Sequence, residues 1–168
     1  MFMSTLKYKH KLGLKATCRV TNFSGTLIAV RQGINGVITY GVQPASKKDE
    51  NWVQDAKNID EDDLVPNRVS EEQEAIFKFS CGQKVQNIVN GFEGIVISRM
   101  FWKNGCTMYV VEGKCITTDE GVTTPSKSSW EQELELIKDS DKKISAPTKK
   151  RGGPITTLCA VPDFPTGH

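Results

Sequence analysis

Residues 82–111 read GQKVQNIVNGFEGIVISRMFWKNGCTMYVV, and residues 13–42 read GLKATCRVTNFSGTLIAVRQGINGVITYGV. The two stretches lie 69 positions apart and align without a gap. With the alignment carried back to residue 9, 11 of 34 pairs are identical: Lys9/Lys78, Gly13/Gly82, Lys15/Lys84, Val20/Val89, Phe23/Phe92, Gly25/Gly94, Ile28/Ile97, Asn35/Asn104, Gly36/Gly105, Tyr40/Tyr109 and Val42/Val111. Most of these residue types make turns or fill a core. Few of them carry acid–base or nucleophilic chemistry. The chain is one small unit written twice.

Working outward from that repeat, the period is two. Leu6, Tyr8, His10 and Leu12 alternate with Lys7, Lys9 and Lys11, the pattern of a half-buried strand. Phe77 and Phe79 stand where Tyr8 and His10 do. Further Val-, Ile- and Thr-rich runs predict strands on both sides of each Asn-Gly pair. Asn35-Gly36 and Asn104-Gly105 predict type I′ hairpin turns, with positive φ at both central residues. Phe23 and Phe92 are expected to be buried, each plugging its own unit. The fold class is all-β: a first small barrel over residues 1–66, a linker over 67–75, and a second barrel over 76–138. In the linker Ser70 and Gln73 have the spacing of a helix cap. Residues 139–168 hold four of the seven prolines and few aliphatics, and are read as an extended basic tail. A unit of 60–65 residues buries only about 60% of its unfolded surface, so each repeat needs support from the other or from a partner.

Charge is segregated. Residues 1–48 carry eight Lys or Arg and no acid; residues 49–75 carry ten acids and two bases. The second unit repeats the order, and the net charge is only +2. The expected outcome is that the ends of each unit meet and neutralise one another. The five cysteines, Cys18, Cys81, Cys106, Cys115 and Cys159, show no Cys-x-x-Cys spacing, and only His10 and His168 accompany them. No zinc site is expected from that set. It fits a reduced intracellular protein, although a Cys106–Cys115 bridge stays open. No signal peptide and no membrane span is expected, since lysines follow Met3 closely and no apolar run approaches about 20 residues.

Gly82-x-x-Val85 followed by Gly91-Phe92-x-Gly94 resembles the KOW-type, Src-homology-3-like small barrels. The first repeat departs from that pattern, with Asn22 at the position of Gly91. A fuller pattern resembles a family of small proteins of tailed bacteriophages. It comprises Gly91-Phe-x-Gly94, Asn104-Gly-Cys-x-x-Tyr109-x-Val111, the Trp130–Leu136 segment and Gly152-Gly153-Pro154. The resemblance implies tandem barrels and a place in the virion or the host cytoplasm. It carries no activity with it. The type II dihydrofolate reductases, also small barrels, use a Val-Gln-Ile-Tyr strand; Val85-Gln86-Asn87-Ile88 departs from it, which removes that reading.

Candidate binding residues fall in three groups. Phe101-Trp102 precedes a hairpin turn, and two adjacent aromatics on a strand point to opposite faces, so one faces outward as a binding anchor; the alternative is that Trp102 packs on the tail or on the other repeat. The tail carries apolar islands at Ile155, Leu158 and Phe164, suited to docking on a protein partner. Lys7, Lys9, Lys11, Lys15, Arg19, Arg31 and the run Lys149, Lys150 and Arg151 are the cations for phosphate contact, if nucleic acid is the partner. Asp60-Glu61-Asp62-Asp63 lacks the spacing of a calcium loop. No Gly-x-Ser-x-Gly motif or phosphate-binding glycine loop is present, so no catalytic residue, metal or cofactor is expected. The leading expectation is a non-enzymatic binding module associated with virion proteins. The alternatives are a nucleic-acid-binding protein and a protein that sequesters a small nucleotide against host defence.

Overall fold

The alternation of the sequence becomes strands, and the glycines become their corners. The computed structural model describes residues 3–46 and 55–138. Among these the regular elements are strands and two 3-10 turns. The first repeat contains β1 (Ser4–Tyr8), β2 (Lys15–Cys18), β3 (Ser24–Gly33), β4 (Ile38–Gln43), β5 (Lys57–Asp60), a 3-10 turn (Glu61–Asp63) and β6 (Leu64–Pro66). The second contains β7 (Gln73–Phe77), β8 (Lys84–Asn87), β9 (Glu93–Trp102), β10 (Thr107–Glu112), the small hairpin β11 (Ile116–Thr118) and β12 (Gly121–Thr123), β13 (Ser126–Trp130), a 3-10 turn (Glu131–Glu133) and β14 (Leu134–Lys138). The first four strands of each repeat correspond at the offset of 69. Beyond the long loop the offset is 70, so Asp60 corresponds to Trp130 and Glu61 to Glu131.

Pairing follows the same order twice. In the first repeat the strands lie side by side as β6-β2-β3-β4-β5, in the second as β14-β8-β9-β10-β13, all antiparallel. Antiparallel pairing of β3 with β9 joins them into one ten-stranded sheet. β1 and β7 form a separate two-stranded ribbon. The sheets are not closed: β5, β6, β13 and β14 each pair with a single neighbour among the described residues.

The two repeats meet about a local two-fold axis. In the β1–β7 ribbon Leu6 faces Ala75, and across the β3–β9 seam Arg31 faces Met100. Both pairs join positions 69 apart, which is the register a two-fold axis requires. Beyond the seam Ile34 N–H donates to Ile97 O at 2.7 Å and Lys103 N–H donates to Ile28 O at 2.7 Å, a pair of bonds that exchange under the same rotation. One hydrophobic cluster spans both repeats, from Leu6, Tyr8 and Tyr40 to Phe77, Tyr109 and Leu134.

Several expectations change here. The Asn-Gly turns are not type I′, because neither Asn35 nor Asn104 has positive φ, whereas Gly36 and Gly105 do. Gly36 N–H donates to Gly33 O at 2.9 Å and Gly33 N–H donates to Val37 O at 3.0 Å. This is a type I turn closed by a left-handed glycine, a three-residue loop. Asn35 Oδ1 accepts from Val37 N–H at 3.1 Å, as Asn104 Oδ1 accepts from Cys106 N–H at 3.0 Å, so each asparagine serves through its side chain. The expected linker over 67–75 is shorter, since β7 begins at Gln73. Ser70 caps no helix; its hydroxyl accepts from Lys11 N–H and donates to Lys9 O, each at 3.0 Å. Phe23 and Phe92 are half-buried rather than plugs, with the ammonium groups of Lys57 and Lys127 over their rings at 4.6 and 4.9 Å.

Candidate binding surface

The acidic turn of each repeat is a structural clamp. Tyr40 OH donates to Glu61 Oε2 at 2.9 Å and accepts from His10 N–H at 3.0 Å, while Lys9 N–H reaches the same carboxylate oxygen at 3.1 Å. The second repeat reproduces it with Tyr109 OH on Glu131 Oε2 at 2.5 Å, Phe79 N–H on Tyr109 OH at 3.3 Å and Lys78 N–H on Glu131 Oε2 at 3.1 Å. Each clamp ties the chain just past the first strand to the 3-10 turn, satisfying backbone donors that burial would otherwise strand. Burial pushes both phenols well above the usual tyrosine range. Among the described residues no group of three His, Cys, Asp or Glu converges as a metal site would.

The cations proposed for phosphate contact are dispersed and largely paired. Lys7 Nζ lies 3.4 Å from Glu72 and 3.6 Å from Glu74. Lys9 Nζ lies 3.4 Å from Glu61 and 3.3 Å from Asp62. Arg19 contacts Asp63 at 3.2 Å. Arg31 sits in the seam and donates to Ser98 Oγ at 3.1 Å. Lys11 and Lys15 are exposed on the first repeat. The acids of residues 61–74 thus return to the basic strands, as the charge segregation led one to expect.

Phe101 and Trp102 belong to the seam. Phe101 faces Val30 and Trp102 faces Ala29 across β3–β9. Phe101 packs on the core, and the buried indole Nε1 of Trp102 has no hydrogen-bond partner. Beside them is a residue the sequence did not single out. Arg99 is buried, its Nε on Gln32 Oε1 at 2.9 Å, its Nη1 on Ser4 Oγ, and its Nη2 near Thr5 O at 3.5 Å. Its guanidinium stacks over the Phe77 ring at 4.6 Å, and burial lowers its pKa. One side chain of the second repeat therefore binds two strands of the first. Lys149, Lys150, Arg151, Ile155, Leu158 and Phe164 lie outside the described residues.

Two exposed features of the second repeat lie along the β10–β13 ribbon. At one end the ribbon continues past the Gly113 N–H to Pro125 O bond, 2.8 Å, into β11–β12. Every residue of this hairpin is exposed, including Ile116 at 53% and Val122 at 63%. At the other end a groove of about 420 Å³ lies between the Gly105 turn and the Trp130–Gln132 segment. Lys78, the free thiol of Cys106 and the 39% exposed Trp130 line it. Because Cys106 is a free thiol, the Cys106–Cys115 bridge does not form. A one-residue change of offset hid the Asp60/Trp130 correspondence from the ungapped alignment. Comparison of this chain with protein-family models, with curated proteins and with solved structures finds no match.

Proposed function

We propose that this chain is a non-enzymatic docking module of a larger protein assembly, and that its repeats are Src-homology-3-like small barrels. The β11–β12 arm carries the docking reading. A lone two-stranded hairpin is marginal in water, and this one shows apolar side chains on both faces, Ile116 paired with Thr123 and Val122 with Thr117. Such an arm gains stability when a partner covers it. The barrel reading is supported by strand order: in each repeat the strand that opens the meander also pairs with the last strand, which follows a 3-10 turn. The resemblance to small proteins of tailed phages supports a virion as the assembly. Pairing of Lys7, Lys9 and Arg19 with carboxylates weighs against nucleic acid, because phosphate contact needs free cations.

The test replaces residues 116–123 with a short glycine-containing turn. The expected result is an unchanged melting curve and loss of co-sedimentation with assembled particles. An arm-less variant that co-sediments at full occupancy would falsify the reading.

A further inference from the structure

The two-fold relation makes each repeat a control for the other, and the surroundings of Lys9 and Lys78 differ. In the first repeat Lys9 Nζ is held by Asp62 at 3.3 Å and Glu61 at 3.4 Å. In the second, Lys78 keeps the same backbone contact to Glu131, but Gln132 replaces Asp62 and Trp130 replaces Asp60. Among the described residues no carboxylate lies within ion-pair distance of Lys78 Nζ; its ammonium lies 5.1 Å from the centre of the Phe79 ring. Where the first repeat has Asp62 the second has Gln132, and a groove of about 420 Å³ lies there, lined among others by Lys78 and Trp130.

We infer that this groove binds an acidic segment of a partner protein, with a carboxylate on Lys78 and a neighbouring apolar side chain on Trp130. The first repeat shows the contact made internally: a carboxylate on the equivalent ammonium. Glu131 is the acid facing the groove, and its Oε2 is already taken by Tyr109 OH and Lys78 N–H. Glu133 Oε2 is likewise taken, by Trp130 N–H at 3.3 Å and Asn87 Nδ2 at 3.4 Å. Lys9 Nζ donates to Asp62 while Glu61, holding the same phenol and backbone N–H, lies beside it, so the clamp carboxylate does not bar a second one. Trp130 adds a broad apolar face, the kind of anchor that interfaces favour. Thr107 and the Gly105 backbone border the site with polar groups that would orient a peptide.

The experiment titrates the isotopically labelled full chain with the capped heptapeptide Gly-Ser-Phe-Asp-Phe-Ser-Gly at low ionic strength. Saturable shifts are expected at the Trp130 indole N–H and at the Gly105 and Cys106 amides. The peptide with Asn in place of Asp binds at least tenfold more weakly, and Lys78→Met costs at least tenfold. Gln132→Asp restores the internal carboxylate and closes the groove, abolishing binding with the melting curve intact; it keeps the test sharp if Lys78→Met folds poorly. Lys9→Met leaves binding unchanged. Binding survives arm replacement, since arm and groove lie at opposite ends of the ribbon, so this inference and the docking reading fail separately. No shift at Trp130, equal binding of the Asn peptide, or preferential binding of an oligothymidylate at the same resonances would overturn the inference.

Discussion

Tyr40 and Tyr109 are fully buried phenols, each donating to a carboxylate and accepting a backbone N–H. Their ordinary pKa of 10 is raised in the folded protein, chiefly by burial. The unfolded chain therefore releases these protons first. Their contribution to stability is complete below pH 10 and declines as pH rises above it, by about 1.4 kcal/mol per unit for each phenol until the folded group ionises. Urea titrations between pH 7 and 11 are expected to show a steep loss that begins near pH 10 and that is shallower in Tyr109→Phe. At neutral pH the same substitution is expected to cost about 1–3 kcal/mol, because backbone donors and Glu131 lose their partner. An unchanged alkaline limb in the variant would show that the phenol is not the titrating group. The clamp was half legible: the Tyr40/Tyr109 identity stood out, but a strand tyrosine reads as core, and nothing local ties it to a glutamate 21 or 22 residues on.

At the scale of elements, two glycines separate two physical reasons for the residue. A Cβ on Gly94 would lie 2.2 Å from Glu112 O, at the end of the β9–β10 pair beyond the bulge; on Gly25 it would lie 2.3 Å from Gln43 O. Gly105 has open space around it but φ of +87°. Gly105→Ala is expected to cost about 1 kcal/mol, the ordinary penalty of a left-handed alanine. Gly94→Ala must push two backbones apart and is expected to cost more than about 3 kcal/mol, beyond the usual overpacking range. Thermal melts of the pair check this; equal losses would refute the close-approach account. These glycines were visible in the alignment, and so were the strands they bend. The turn type was not, because Asn-Gly serves two hairpin loops and only the backbone distinguishes them. The substitution of Asn22 for Gly91 shows the same tolerance: Asn22 takes a φ of +56° where Gly91 has +73°.

For the whole molecule, the seam decides how the chain unfolds. The sheet and the hydrophobic cluster run through both repeats, and Arg99 bonds β1 and β3 from β9. The described body is therefore expected to unfold in one step, with circular dichroism and tryptophan fluorescence giving coincident urea transitions. Two resolved transitions, or a folded isolated second repeat, would show the seam to be a contact between independent units. None of this pairing could be read from the sequence. Leu6/Ala75 and Arg31/Met100 are not identical pairs, and a repeat reveals that two units exist without saying which edges meet.

The centre of that seam shows what two-fold pairing would demand of identical halves. Two identical copies of this unit set about the same axis would place each residue on the axis against its own twin. At the position of Arg31 two like charges would collide. Joining the copies in one polypeptide lifts that rule, since the opposing position is now Met100. Fusion frees a symmetric pair to become two different faces. One half keeps its lysine neutralised, and the other is free to offer its lysine outward.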